Sequence, residues 1–242
     1  MLKFSKGNAK LKQLGLYTFS LLAGHNCPFA NICLAKADKA TGKLQLGKNN
    51  LFQCFSATSE NIFPNVRISR WRNFEALRKL DTAGMVKLIQ KSLPTKAQII
   101  RIHVSGDFFS QSYFDAWLLI ARANPNLKFY AYTKSIPFWL TRIKEMPINF
   151  ILNGSIGGKR DDLIESNNLK SAKVVFSANE AKQLGLKIDH DDSLAMKRGQ
   201  NFALLLHGTQ PKGSIAAKAN HILRRAGKNG YHSDYFGHYQ KN

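Results

Sequence analysis

The chain has 242 residues, enough for one large domain or two small ones, and none of its apolar runs approaches the ~20 residues a membrane span needs. Lys and Arg number 36 against 15 Asp and Glu, a formal net charge of +21, which favours a polyanion partner, nucleic acid first, over a merely cationic solvated surface. An odd set of three cysteines (Cys27, Cys33 and Cys54) argues against a disulfide framework, and the N-terminus has no apolar leader, so a soluble, cytoplasmic chain with no membrane segment is expected.

β-rich runs at 16–22, 98–104, 128–133, 148–152, 173–176 and 202–207 alternate with segments of helical period. The clearest helix spans 111–123, where Phe114, Trp117, Leu118 and Ala121 share one face and Asn124-Pro125 ends it. Further helices are expected at 67–80, 82–91, 137–146 and 179–184. Strands alternating with helices predict an α/β fold with a mainly parallel sheet, open or curled into a partial or complete βα barrel. Residues 1–214 read as this single domain. Residues 215–242 read as a basic helix and a tail rich in Gly, His and Tyr.

Nearly every expected strand ends in a polar or glycine-bearing cluster: Gly24 to Cys27, Ser105-Gly106-Asp107, Thr133-Lys134-Ser135, Asn153-Gly154-Ser155, Ser177 to Glu180, Asp189 to Asp192, and His207 to Gln210. Turns need such residues for backbone reasons alone. In parallel α/β folds, however, the ligand site lies outside the carboxyl ends of the strands, where all seven clusters would meet. Along 100–105, apolar Ile100, Ile102 and Val104 alternate with Arg101, His103 and Ser105, so helices on the apolar face would leave Arg101 and His103 pointing inward.

Five residues separate Cys27 from Cys33 and twenty separate Cys33 from Cys54. Thiolates suit soft or borderline metals, and three of them can hold a [4Fe-4S] cluster with one iron left open. A Cys3His zinc site completed by His25 is the rival, and three unligated core cysteines the plain alternative. The run Asp189-His190-Asp191-Asp192 offers hard ligands for Mg²⁺ or Mn²⁺ in phosphodiester chemistry, or is simply a charged turn. His103 and His207 stand at strand ends where a general acid or base would sit. Trp71 with Arg67, Arg70 and Arg72 interleaves aromatics with cations. So do Tyr231, Tyr235, Phe236 and Tyr239 with Arg224, Arg225 and Lys228, a pattern that holds single-stranded nucleic acid; a packed helix with a solvated basic face reads the same, so the nucleic-acid reading is preferred for the tail and left open at Trp71.

The strings Cys27-Pro28-Phe29-Ala30 with Cys33, Arg101 to Ser110 (RIHVSGDFFS), Tyr130 to Ser135 (YAYTKS), Ile188 to Asp192 (IDHDD) and Leu206 to Pro211 (LHGTQP) resemble the phage gene product 88 family over roughly residues 15–214. That layout in turn looks like a divergent radical S-adenosylmethionine (SAM) enzyme, with a cysteine loop after the first strand and a Gly-acid turn after the second. The resemblance implies that Cys27, Cys33 and Cys54 hold the cluster, that Ser105, Gly106 and Asp107 bind the SAM amine, and that Asn153 and Ser155 lie near its ribose. The cysteine spacing and the Ser-Gly-Asp turn depart from the usual radical SAM pattern. The working expectation is an iron-sulfur enzyme acting on nucleic acid or a nucleotide-linked substrate, with His103, Asp107, Asp189, His190 and Asp191 as candidate catalytic residues. The alternatives are a zinc-stabilised nucleic-acid-binding protein and a metal-dependent nuclease.

Overall fold

The computed structural model of the protein describes residues 1–7 and 15–227. The chain runs through β1 (Phe4–Lys6), β2 (Leu16–Phe19), the hairpin β3 (Ala35–Ala37) and β4 (Leu44–Leu46), α1 (Phe55–Ile62), α2 (Pro64–Leu77), α3 (Thr82–Ser92), β5 (Ile99–Ile102), α4 (Gln111–Ala123), β6 (Lys128–Thr133), α5 (Ile136–Thr141), β7 (Phe150–Ser155), α6 (Asp162–Ser166), β8 (Ser171–Val175), α7 (Ala178–Gln183), β9 (Lys187–Ile188), β10 (Phe202–Leu205) and α8 (Ile215–Arg225). Eight of the strands form one sheet in the order β1-β2-β5-β6-β7-β8-β10-β9. Only β1 is antiparallel to its neighbour; the other pairings are parallel. Among the described strands the order ends at β1 and β9, so no closed barrel is formed there and the complete-barrel expectation is not met.

From β2 to β8, sheet neighbours follow one another in the chain, and right-handed crossovers between such neighbours place their helices on one face. That face is an apolar layer. Phe19, Ile100, Ile102, Phe129, Ala131, Phe150 and Leu152 from the strands pack against Met85 and Ile89 of α3 and Tyr113, Phe114, Trp117, Ile120 and Ala121 of α4. Helix α4 forms where the periodicity predicts, because Ser110 accepts a hydrogen bond from the Tyr113 amide and Pro125 prevents continuation.

The opposite face is covered by the chain itself. Leu194, Ala195 and Met196, in the loop between β9 and β10, pack there against Leu16, Tyr130, Tyr132, Ile151 and Phe202. Helix α8 buries Ala216 and Leu223 against Val175, Ala203 and Leu205 together with Ala181 of α7, so this part of the expected C-terminal appendage shares a core with the sheet.

Four strands stop earlier than the β-rich runs predict, and two of them bear on the site. β2 ends at Phe19, and β5 ends at Ile102 because His103 adopts a left-handed conformation with φ +50°. That reversal breaks the alternation. Arg101 points to the loop-covered face, whereas His103 turns into the helix layer among Phe19, Phe108 and Tyr113.

Candidate metal centre

Parallel pairing carries the turns after β2, β5, β6 and β7 to one edge of the sheet, and the cysteine loop is stitched across that edge. Cys27 follows β2 in a turn fixed by Asn26, whose side-chain oxygen accepts from the Leu22 amide at 2.8 Å. Beyond it the loop crosses to the end of β7, where the Ile32 amide donates to the Gly157 carbonyl, Ala30 bridges to Gly158, and the Lys159 amide donates to the Phe29 carbonyl. Gly157 is required at that crossing. Its φ is +102°, and a Cβ there would collide with the Ile32 side chain.

Cys54 stands at the N-terminus of α1, and the end of β10 holds the residue before it. The Gln210 side-chain oxygen accepts from the Gln53 amide at 2.8 Å, and its side-chain nitrogen donates to the Gln53 carbonyl at 3.2 Å. Gln53 in turn donates to Thr58 and to the Thr209 carbonyl. The expected cluster at His207 to Gln210 is thus an anchor for Cys54. His207 itself packs its ring on Phe55, with centroids 4.5 Å apart.

The three half-buried cysteines are unbridged and share one electrostatic neighbourhood. Burial pushes the Cys27 thiol well up, and the Asp107 carboxylate, Cys54 and Cys33 push it further; the Gly24 amide acts in the other direction. Cys54 is pushed up to about 11 by burial and Cys33, while the Ala57 and Ser56 amides of the first turn of α1 pull it down. Three thiolates there would repel one another, a cost that bound cationic metal reverses. Amides aimed at the sulfurs favour the same ionised state.

Among the described residues, no group of three or more His, Cys, Asp or Glu side chains converges as a ready-made cage for a metal ion. A tetrahedral zinc site with Zn–S bonds of about 2.3 Å needs ligand atoms roughly 3.8 Å apart. Cluster cysteines bind different irons and so stand further apart than the ligands of one ion. His25 does not complete a Cys3His set in this conformation. Its Nε2 bonds the Ala37 carbonyl at 3.0 Å, and its ring lies against Trp71.

The residues expected to cup a ligand are bound up in joining turns. Asp107 Oδ1 accepts from the Thr133 hydroxyl at 2.6 Å and from the Phe108 amide, and Oδ2 accepts from the Lys134 amide at 2.8 Å. Burial nevertheless raises its carboxyl to about 6. Gly106, at φ +83°, packs against Leu21, where a Cβ would meet Leu21 Cβ at 2.8 Å. Lys134 Nζ donates to the Ser155 hydroxyl at 2.6 Å and to the Ser155 and Ile156 carbonyls. Asn153 donates to the Ala131 and Ala195 carbonyls, leaving its buried Oδ1 without a partner. Ser105 donates to Glu60, a residue that sequence reasoning missed.

Glu60 is wholly buried and ties the framework together. One oxygen accepts from the Ala23 amide ahead of Cys27, from Arg70 at 2.8 Å and from Ser105; Oε2 has no partner. Arg70 also donates to the Ser56 carbonyl beside Cys54, and Arg67 donates to the Glu60, Lys39 and Ala40 carbonyls. Both arginines therefore serve the interior and Trp71 lies under Lys39 at 4.6 Å, so Arg67 and Arg70 of the expected cluster form a structural joint, while Arg72 is exposed. No sequence signal marks Glu60, since its partners lie far away in the chain.

The acidic run spends its carboxylates on its own chain. Asp189 accepts from the Asp191, Leu194 and Ala195 amides, and Asp191 from the Ser193 amide. Asp192 is buried on the loop-covered face, accepting from Arg101 at 2.7 Å, the Tyr130 hydroxyl at 2.6 Å and the Tyr132 hydroxyl at 2.9 Å. His190 is exposed. His103 Nε2 pairs with the Tyr113 hydroxyl at 2.9 Å, and burial pushes the imidazole down to about 3. Neither the acidic run nor His103 sits with the cysteines. The aromatic and basic residues of the tail from Lys228 onward lie outside the described residues.

A family model, gene product 88, matches residues 2–225. The chain is 30% identical over 120 residues to the gene 88 protein of Mycobacterium phage L5, and 28% identical over 120 residues to that of Mycobacterium phage D29. Each match covers 46% of this chain and 44% or 43% of the relative, so the chain spans less than half the length of the curated relatives it matches. No solved structure matches. The chain belongs to the gene product 88 family.

Proposed function

We propose that this member of the gene product 88 family is an iron-sulfur protein in which Cys27, Cys33 and Cys54 hold a [4Fe-4S] cluster. The observation that carries the reading is the electrostatic coupling of three thiols, on two separately anchored segments at the carboxyl edge of a parallel sheet, with one another and with Asp107. Three protein ligands would leave one iron open to a small molecule. Parallel strands in chain order, with the cysteine loop after the first of them, support a radical SAM-type enzyme as the finer reading. Asp107, already engaged by three donors, would then shape the turn instead of meeting the SAM amine. Gly106, Asn153 and Ser155 remain the candidates at the ligand. The cluster would supply the electron; the chain's own residues would hold the ligand and exclude water.

Iron, zinc and acid-labile sulfide in anaerobically purified protein test this. The expected result is iron and sulfide in equal amounts, lost together in each of Cys27→Ala, Cys33→Ala and Cys54→Ala. Stoichiometric zinc without sulfide would overturn it. SAM binding to the iron-loaded protein, absent from the same variants, tests the finer reading.

A further inference from the structure

Part of the surplus positive charge lies in a stretch of the described structure with no acidic residue to oppose it. Residues 193–227 contain no Asp or Glu but include Lys197, Arg198, Lys212, Lys218, Arg224 and Arg225. Helix α8 spends one side on the core through Ala216 and Leu223, and Asn220 donates to the Gly208 carbonyl at 2.6 Å. Its other side carries Ile215, Lys218, Ile222 and Arg225 at helical spacing, with His221 and Arg224 alongside, all exposed; Ile215 and Ile222 are 71% and 67% accessible. Among the described residues, none of these cations has an acidic partner. The α7–β9 segment, which shares α8's hydrophobic cluster, adds exposed Lys182 and Lys187. Arg67 and Arg70 of α2 differ, because they are consumed by Glu60 and loop carbonyls.

We propose that the exposed face of α8 is a binding surface for the phosphate backbone of a nucleic-acid strand. Charge complementarity selects the partner: unpaired cations on a rigid helix neutralise successive phosphates, and the two isoleucines offer apolar contact to sugars and bases between them. An anionic bilayer would want a continuous apolar face. On α8 that face is already packed into the core, leaving two isolated isoleucines. The position also suits the cysteine edge, since Asn220 holds Gly208, and Gln210 of the same turn holds Gln53 next to Cys54. The surface is argued from charge and exposure alone and stands whether or not the cysteines bind iron.

The test is anisotropy of a short fluorescein-labelled single-stranded DNA with the full chain across a salt series, with phosphatidylserine vesicles as competitor. Lys218→Glu/Arg225→Glu is expected to weaken binding roughly ten-fold or more and to lower the log–log salt slope by about 1.4, the loss of two phosphate contacts. Lys87→Glu/Lys91→Glu, the same charge change on exposed positions of α3, is expected to change affinity by no more than about two-fold. Equal losses in both variants would overturn the assignment in favour of diffuse charge. A salt-independent signal, no binding, or vesicles displacing the DNA from the unaltered chain would overturn it as well.

Discussion

Two polar clusters promise a ligand site in the sequence, the cysteine loop and the run Asp189 to Asp192, and the fold treats them in opposite ways. The carboxylates are answered by the protein: Asp189 and Asp191 accept backbone amides, and Asp192 receives one guanidinium and two phenols. The thiols are left to one another: burial and neighbouring groups raise Cys27 and Cys54, with only backbone amides in their favour. A polar group whose partners all come from its own chain is holding structure. One brought close to like groups with few partners of its own is the better candidate for a ligand site.

Breaking the carboxylate side should cost the most stability. Asp192→Ala removes the acceptor shared by Arg101, Tyr130 and Tyr132 and is expected to destabilise the fold by about 3–5 kcal/mol in urea unfolding. A loss under about 1 kcal/mol would show that the loop adds little to the sheet. At the cysteine edge, Gln210→Ala leaves the Gln53 amide and carbonyl unanswered and should cost about 1–3 kcal/mol. If Cys54 depends on that anchor, the variant also loses iron, whereas Asp192→Ala protein that remains folded keeps it.

The smallest effect is a pH dependence whose sign separates His103 from Asp107. His103 stays neutral when folded, pushed down to about 3, but titrates near 6.5 when unfolded. The unfolded chain therefore binds the extra proton in that window, and stability falls as pH drops through it. Asp107 works in reverse. Raised to about 6 from an ordinary 3.8, it holds its proton longer in the folded state, and stability rises as pH falls from about 6 towards 4. His103→Asn, which tolerates the left-handed backbone, is expected to lose about 2 kcal/mol less than the parent between pH 6.5 and 5. Asp107→Asn is expected to lose more than the parent over the same range. Parallel curves for all three proteins would mean that neither group is buried as described.

The parallel sheet was legible because its strands are β-rich runs between turn residues and α4 carries a strict apolar period. The carboxyl-edge position of Cys27, Asp107 and Lys134 followed from the parallel order alone. His103 misled because alternation assumes an unbroken strand, and one left-handed residue sends its side chain to the other face. The acidic run misled because its binding partners, Arg101, Tyr130 and Tyr132, lie on strands distant in the chain. Glu60 was invisible as a functional support for the same reason, and Gln210 stood in an expected strand-end cluster whose partner Gln53 was hidden: a long-range hydrogen bond leaves no local pattern.

The most direct measurement reconstitutes the protein anaerobically with iron and sulfide and follows the sulfur-to-iron charge-transfer absorbance in the parent, Cys33→Ser and Asp191→Asn. A band that bleaches with dithionite in the parent and in Asp191→Asn, and is missing from Cys33→Ser, is the predicted result. Equal absorbance in the parent and Cys33→Ser, or none in the parent, would contradict a cluster at the cysteine edge.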